Sequence, residues 1–346
     1  MHMKSLLLAS SAALMAVSTA QAADAIVAAE PEPMEYVRVC DAFGTGYFYI
    51  PGTETCLKIN GYVRAQLDWS SFDRGPGADD FDWNARTRGL LTVNAKSDTE
   101  LGALASTITV RTWAEGDATQ NSLDLDEAFI TLGGFRAGYG YNYWDNDLSG
   151  ETDDIGSNRI NQIGYEFTTD AFSVGIFADE LTKTYSDLFP GYYTGNDNVG
   201  IEGQISGTFG GIKAYLLGGY DFAAENGSVR ALMTADIGPG QLGLAGIYSS
   251  GANAYYDLAE WTVAAQYALK VNDKFGITPG VQYWWNRDVN LANGDFSGDS
   301  EAWRAGVTLD YAITAGLDSK VSVQYTEEDG AAADVWSGFF RLQRTF

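Results

Sequence analysis

The feature that most constrains this chain is a strict alternation of apolar and polar residues. Residues 57–69 show it most clearly, because one set is apolar or small and the other is polar: Leu57, Ile59, Gly61, Val63, Ala65, Leu67 and Trp69 against Lys58, Asn60, Tyr62, Arg64, Gln66 and Asp68. Successive side chains of a strand point to opposite faces, so a period of two predicts a β-strand between two different surroundings. A helix would mix the two sets.

Similar segments recur along the chain, and about sixteen are found between residues 57 and 346. Their connections alternate in length. Tight turns are predicted at residues 97–100, 133–134, 207–210, 238–240 and 271–274, and longer acidic loops at 70–82, 113–121, 141–158, 179–198, 286–299 and 327–333. Short turns on one rim and long loops on the other are typical of an antiparallel up-and-down transmembrane β-barrel. We therefore predict an all-β chain of this kind.

Aromatic residues at the ends of the predicted outer faces agree with a barrel in a bilayer. Phe275 and Trp285 lie on one face of one strand, ten residues apart. At about 3.3 Å per residue and a tilt near 45°, this spacing projects to roughly 23 Å, close to the height of a barrel's apolar band. The other predicted members of two aromatic girdles are Trp69, Phe135, Phe172, Trp261, Trp303, Tyr311 and Phe346.

The first residues predict export from the cytoplasm. Lys4 precedes an apolar stretch at residues 6–17 that is too short to span a bilayer, and Ala20 and Ala22 supply the small residues of a cleavage site. We expect a signal peptide at residues 1–22, cleaved before Ala23; a short buried helix is the alternative. An N-terminal segment at residues 23–56 and a barrel at residues 57–346 would then follow.

Cysteine usage fits an exported protein. Cys40 and Cys56 are the only two cysteines, and compartments beyond the inner membrane are oxidising. We expect them to form a disulfide that closes residues 41–55, with two free thiols as the alternative. Zinc is disfavoured, because a closed site needs about four ligands.

Charge and histidine content exclude several function classes. The formal net charge is 21 − 46 = −25, whereas nucleic acids bind basic surfaces. The only histidine is His2, which would leave with the signal peptide. The mature chain would therefore lack the usual neutral-pH base and the Ser-His-Asp arrangement. We expect neither an enzyme nor a resident cofactor, although a barrel enzyme that uses a pair of carboxylates stays open.

Three stretches resemble the alphaproteobacterial outer-membrane porin family: residues 23–38, residues 40–64, which include GYFYIPGTETCLKINGYVR, and the terminal Phe346. The resemblance implies a sixteen-stranded barrel in the bacterial outer membrane, a homotrimer, a third loop folded into the pore, and passive diffusion of small hydrophilic solutes. Arg344 departs from the usual apolar pattern of the last strand, but an arginine near the rim can reach water. A substrate-selective channel, a plugged adhesin and a soluble secreted β-protein are the alternatives.

A constriction is predicted where the third loop, residues 141–158, would face the barrel wall. Sixteen strands leave an aqueous channel, which the polar residues of the inner face suit. Loop acids opposite wall arginines would set up a field across the waist. The net acidity of the chain suggests a weak cation preference. The candidate residues are Asp145, Asp147, Glu151, Asp153 and Asp154 on the loop, and Arg64, Arg86, Arg88, Arg111 and Arg136 on the wall. Alternatively, the loop lies on the outer surface and the arginines pair with other lumen acids.

Metal binding is a weaker hypothesis. Asp145, Asp147 and Ser149 begin like a calcium-binding EF-hand, but Gly156 occupies the twelfth position, where a glutamate belongs. The outer-loop runs Asp79-Asp80 and Glu327-Glu328-Asp329 are either solvated surface or weak sites for divalent cations that bridge to lipopolysaccharide.

Overall fold

The protein is described here by a computed structural model that covers residues 38–71, 81–116, 122–181, 198–290, 293–331 and 333–346. Residues Val39–Phe346 form one compact unit. The predicted signal peptide with its cleavage site before Ala23, and the acidic pair Asp79-Asp80, lie outside these residues. Within the described ranges, no helix has the length and apolar character needed to cross a membrane.

The secondary structure is almost entirely antiparallel β-sheet. Two short 3₁₀ turns, Asp41–Phe43 and Tyr143–Asp145, accompany the strands. The strands of the described residues are β1 (Phe48–Tyr49), β2 (Cys56–Ser71), β3 (Phe81–Thr99), β4 (Gly102–Glu115), β5 (Ser122–Leu132), β6 (Phe135–Tyr141), β7 (Arg159–Thr168), β8 (Phe172–Glu180), β9 (Val199–Phe209), β10 (Ile212–Asp221), β11 (Asn226–Ile237), β12 (Gly240–Ser249), β13 (Trp261–Lys270), β14 (Phe275–Trp285), β15 (Glu301–Thr314), β16 (Leu317–Glu328) and β17 (Val335–Thr345).

The sheet closes on itself. Each strand from β2 to β17 pairs with the next, and β17 pairs back with β2 from Ser337↔Ser70 to Thr345↔Tyr62. These sixteen strands form the predicted antiparallel barrel, and β1 adds a two-residue pairing to β2. Closure satisfies the backbone hydrogen bonds of both end strands, which a bilayer requires because its core offers no partner for them.

The two faces of the barrel wall separate as the alternation predicts. On β2 the outward side chains of Ile59, Val63 and Leu67 are 49%, 52% and 40% exposed. Between them, inward Arg64 donates a hydrogen bond from Nε to Gln343 Oε1 on β17 at 2.8 Å. Apolar side chains on the exposed face and bonded polar side chains on the inner face are what a lipid exterior and an aqueous lumen require.

Aromatic contacts between neighbouring strands support a girdle near the loop-bearing rim. Tyr248 and Trp261 lie with ring centroids 4.6 Å apart, and Tyr325 lies 5.2 Å from Trp303 and 5.1 Å from Trp336. Phe275 begins β14 and Trp285 ends it, which places the two predicted residues at opposite ends of one strand.

Turn predictions were accurate in some places and wrong in others. The turns at 133–134 and 271–274 fall between strands as predicted. The turns predicted at 97–100 and 207–210 begin too early, because β3 runs to Thr99 and β9 runs to Phe209. The second of these turns needs the left-handed backbone of Gly210, whose φ is +64°. A long connection at residues 250–260 was not predicted.

One side of the inner face departs from the expected polar lining. Leu217, Leu232 and Ile247, on β10, β11 and β12, are 1–3% exposed and form a cluster with Trp144 of the third loop. The polar lining predicted for the inner face is therefore interrupted here by apolar residues. Loop side chains, rather than water, cover these positions.

The N-terminal segment is attached to the start of the barrel. Cys40 and Cys56 form the predicted disulfide, with Cα atoms 6.0 Å apart. Tyr47, 7% exposed, packs with both cysteines, and the ammonium group of Lys58 lies 5.7 Å from its ring centroid. The disulfide thus fixes this segment where β2 begins.

Candidate functional site

The third loop starts and ends at adjacent strands. The backbone N–H of Asn142 donates to the carbonyl of Asn158 at 3.1 Å, which closes the base of the loop between β6 and β7. The Asn142 side chain caps the turn Tyr143–Asp145 by accepting from the Trp144 N–H at 3.2 Å. Trp144 is fully buried. The loop therefore leaves β6 in a defined direction.

The middle of the loop makes its polar contacts with strands far around the ring. The Gly150 N–H donates to Gln266 Oε1 on β13 at 2.7 Å, and the Glu151 N–H donates to Thr308 Oγ1 on β15 at 3.1 Å. Asp154 exchanges two hydrogen bonds with Gln282 on β14, at 2.6 and 2.8 Å. By the strand order, β15 lies seven positions from β6 through β2 and β17, and eight from β7 in the other direction.

Glu151 is the predicted loop acid that pairs with basic residues of the wall. Its Oε1 lies 2.8 Å from Lys320 Nζ on β16 and 3.4 Å from Arg341 Nη1 on β17. Neither basic residue was among the predicted site residues. Alternation places both on the inner face, but it does not indicate which strands the loop reaches.

The other loop acids have mixed surroundings. Asp145 accepts a hydrogen bond from the Ser157 hydroxyl, and Asp153 Oδ2 accepts from the Leu148 N–H at 3.2 Å. Burial raises the pKa of Asp145, Asp153 and Asp154 above the ordinary carboxyl value. For Asp147, burial followed by the charges of Asp153 and Asp145 raises the pKa to about 7, although the side chain still reaches water.

Three of the predicted arginines pair with acids of the wall. Arg86 lies 2.6 Å from Asp68, Arg111 lies 3.0 Å from Asp126, and Arg136 lies 3.9 Å from Glu127. Among the described residues, none of the five predicted arginines forms an ion pair with a third-loop carboxylate. Pairing with other lumen acids was the alternative stated above, and it describes these three residues.

Arg64 and Arg88 are opposite each other in the β2–β3 register and have neutral hydrogen-bond partners. Arg64 donates to Gln343 at 2.8 Å, and Arg88 donates from Nη1 to the Tyr62 hydroxyl at 3.1 Å. The Arg88 guanidinium carbon also lies 3.9 Å from the ring centroid of Trp113, a cation–π contact. An amide, a hydroxyl and an aromatic ring carry no net charge, so these contacts do not neutralise the positive charges of Arg64 and Arg88.

A β-bulge shapes the inner face of β5. The β4–β5 register shifts between Thr109 and Val110, and Asp126 is the extra residue. Its carboxylate contacts both Arg111 and Arg159 and is 3% exposed. The adjacent acids Asp126 and Glu127, which interrupt the alternation, were the overlooked signal, because a bulge places two successive residues opposite one partner.

Space remains on several sides of the third loop. A cavity of about 600 Å³ adjoins Tyr143 and Arg136, one of about 390 Å³ adjoins Glu151 and Arg304, and one of about 720 Å³ adjoins Asp154. Within the described part of the chain, no cluster of three His, Cys, Asp or Glu side chains is arranged to hold a metal ion. The geometry therefore combines charged walls with open volume.

Similarity to known proteins is extensive. The family model described as the porin subfamily matches residues 24–339. Outer membrane protein IIIA of Rhizobium leguminosarum bv. viciae is 47% identical over 354 residues, which cover 98% of this chain and 93% of that protein. Porin Omp2b of Brucella neotomae is 34% identical, with complete coverage of both chains.

Solved structures show the same fold. The outer membrane channel DcaP of Acinetobacter baumannii superposes with a TM-score of 0.66 at 14% identity, covering 86% of this chain and 99% of that one. A mutant porin of Rhodopseudomonas blastica gives 0.54 at 14% identity, covering 84% and 100%. Together with the closed sixteen-stranded barrel, the sequence matches identify the family. The chain belongs to the porin subfamily, with alphaproteobacterial relatives, and it is a β-barrel channel of the outer membrane.

Proposed function

We propose that small hydrophilic solutes and ions diffuse passively through the lumen and that the third loop narrows their path. The waist lies between the third loop, whose Glu151 is paired with Lys320 and Arg341, and the wall arginines Arg64 and Arg88. Polar groups on both sides replace part of the hydration of a passing solute, and an apolar solute would have to displace ordered water. The diffusion needs no energy coupling.

The observation that carries this proposal is the contact of Glu151 with Lys320 and Arg341. Lys320 lies near the start of β16, close to the short turn after β15, and Arg341 lies toward the end of β17. A loop that leaves the opposite rim of the barrel from β6 reaches both residues only if it passes through the interior. Ions that pass through the barrel would then come close to the acidic residues of this loop.

Neutralising Glu151 tests the proposal. One charge about 6 Å from an ion in water contributes about 0.7 kcal/mol, attractive for potassium and repulsive for chloride, so Glu151→Gln is expected to raise the chloride-to-potassium permeability ratio by up to about ten-fold at low salt. The reversal potential of a planar bilayer in a KCl gradient measures this ratio. Asp273→Asn, at an exposed turn beside Lys270, is the matched control. An unchanged permeability ratio in Glu151→Gln would show that Glu151 does not line the ion path, which contradicts the proposal.

We also propose that the working unit is a homotrimer, as the membership in a porin family suggests. Chemical cross-linking of the detergent-purified protein, followed by mass measurement, should give a species of three chains. A single-chain mass under every mild detergent condition would contradict the trimer.

A weak association of the outer loops with divalent cations and lipopolysaccharide is a further part of the proposal. The run Glu327-Glu328-Asp329 supplies carboxylates at the loop-bearing rim, although Glu328 also pairs with Arg287. Lipid retention by the purified protein should fall after washing with a chelator, and equal retention would contradict this association.

We propose, finally, that the channel catalyses no reaction. The support is the absence of histidine from residues 3–346, which removes the most frequent general base. Purified protein should show no lipid or peptide cleavage above background, and cleavage abolished by a single carboxylate substitution would contradict this expectation.

A further inference from the structure

The connection at residues 250–260, between β12 and β13, is unusual for a loop at a barrel rim. Asn253, Ala254, Tyr255 and Tyr256 are 1–3% exposed, whereas surface loops normally keep their polar backbone and tips in water. The Asn253 side chain accepts from the Tyr255 N–H at 3.0 Å and donates to the Ser249 hydroxyl at 2.9 Å. The segment thus has a fixed conformation inside the protein.

This segment packs directly on the third loop. The ring centroids of Tyr255 and Tyr256 lie 6.0 and 6.4 Å from that of Trp144. The Asn158 side chain donates to the Ala254 carbonyl at 2.7 Å. A Cβ at Gly156, whose φ is +98°, would lie 3.1 Å from both the Trp144 ring and the Tyr255 carbonyl, so a larger residue would press the two loops apart.

The same segment is tied to the wall on two sides. The Tyr255 hydroxyl donates to Asp179 Oδ2 on β8 at 2.7 Å, and the Ala254 N–H donates to Asp221 Oδ2 on β10 at 3.2 Å. The Tyr256 hydroxyl shares a hydrogen bond with Thr262 at 2.7 Å and accepts one from Trp284 at 3.1 Å. Buried polar groups with such partners resist displacement, because breaking a bond leaves a desolvated group unsatisfied.

Arg230 joins the two arms of the third loop. Its Nη1 donates to the carbonyls of Trp144 and Ile155, both at 2.8 Å, and its Nη2 donates to the carbonyl of Tyr143 at 2.9 Å. The guanidinium carbon lies 5.2 Å from the Trp144 ring centroid, and the residue is 1% exposed. Charge-assisted hydrogen bonds of this kind are about twice as strong as neutral ones. One side chain therefore holds both the departing and the returning arm.

We propose that residues 250–260 are a second lumen loop and that Tyr255 and Arg230 are positioning residues for the third loop. The second lumen loop and Arg230 hold the third loop at one distance from the part of the wall that carries Arg64 and Arg88, and thereby fix the width of the pore. This inference rests on the proposed constriction, because the third loop must narrow the pore for its position to affect the current. Without these contacts, thermal motion of the loop would modulate the open channel.

Single-channel recording of the full-length protein in planar bilayers tests the inference. Tyr255→Ala and Arg230→Met are expected to raise open-channel current noise several-fold and to add sub-conductance steps. Tyr255→Phe, which removes only the hydroxyl, and Asn158→Ala should raise the noise to a smaller extent. Tyr248→Ala is the matched control, since Tyr248 precedes the same loop but lies 39% exposed beside Trp261. Its noise should equal that of the wild type.

A chemical measurement separates loop release from a general loss of structure. A cysteine introduced at Ser149, on the exposed part of the third loop, should react faster with a water-soluble thiol reagent when Tyr255→Ala is also present. The same cysteine with Tyr248→Ala should react at the rate seen without a second substitution. If Tyr255→Ala does not fold, Tyr255→Phe and Asn158→Ala decide the question.

The outcomes distinguish this inference from the proposed function. The inference would be overturned if every folded variant showed the current noise of the wild type and if the cysteine of Ser149→Cys reacted at the same rate with and without the second substitution. Altered selectivity in Glu151→Gln would in that case leave the constriction in place. Unaltered selectivity in Glu151→Gln would instead overturn the constriction on which the inference rests. Raised noise in the Tyr255 and Arg230 variants, with the control unchanged, is the result that we expect.

Discussion

We expect Asp147 to make the channel's ion preference sensitive to pH near neutrality. Because its pKa is raised to about 7, the side chain is negatively charged above neutral pH and loses this charge as the pH falls through 7. We therefore expect the preference for potassium over chloride to weaken between pH 8 and pH 6. Reversal potentials in a KCl gradient at several pH values measure this change.

Asp147→Asn provides the control for that titration. The variant should show at pH 8 the weaker preference that the wild type reaches at pH 6, and its curve should be flatter in this interval. An equal slope for both proteins between pH 6 and pH 8 would assign the titration to another group.

Asp153 and Asp154 lie beside each other on the same loop and also carry raised pKa values caused by burial. Replacing both by asparagine keeps hydrogen-bond acceptors and removes up to two negative charges. We expect the cation preference at pH 8 to fall by up to about ten-fold per charge removed, because each charge attracts potassium and repels chloride. No shift at pH 8 would place these charges outside the ion path.

Alternation predicted the orientation of individual residues better than their partners. It placed Arg64 and Arg86 on the inner face, where the structure has them. It did not predict that Arg86 pairs with Asp68 while Glu151 pairs with Lys320 and Arg341. A period of two fixes the face of a side chain, whereas ion pairing depends on register and on the path of a loop.

At the scale of elements, strands were predictable and interior loops were not. Residues 141–158 were recognised as the third loop by their length and by their position among the long acidic loops. Residues 250–260 were missed because Tyr255, Tyr256 and Leu258 interrupt the polar composition by which the other loops were recognised. The inward orientation of Leu217 and Leu232 was also not predictable, because in the sequence an apolar residue that faces a buried loop resembles one that faces lipid.

The disulfide is expected to stabilise the N-terminal segment and not the barrel. Loop-closure entropy for about 15 residues gives roughly 3 kcal/mol, or about a hundred-fold more frequent local opening without the bond. Pairing of β2 with β3 and β17 does not involve Cys40. Limited proteolysis of Cys40→Ser/Cys56→Ser should therefore cut residues 41–55 much faster while leaving the rest intact.

Reduced wild-type protein is the companion sample for that experiment and should be cut at the same sites. Equal cleavage rates for the oxidised, reduced and double-serine proteins would show that other contacts, such as those of Tyr47 with Lys58 and Lys96, hold the segment by themselves.

At the scale of the whole molecule, the fold followed from repetition. Many strands with the same two faces, joined alternately by short and long connections, are compatible with few structures other than a closed barrel. Closure between β17 and β2 was implied by the number of strands and by the resemblance to porins, whose last strand ends in a phenylalanine like Phe346. How much of the lumen stays open was less predictable, because it depends on how the two loops pack inside.

The central claim is that an open aqueous path runs through the sixteen-stranded barrel beside the third loop. Single-channel conductance, measured with an exclusion series of neutral polymers, tests it most directly. We expect stepwise currents that are proportional to voltage, are lowered by polymers small enough to enter, and are unaffected by larger ones. Correctly folded protein that passes no current, or a current that no polymer lowers, would contradict the claim.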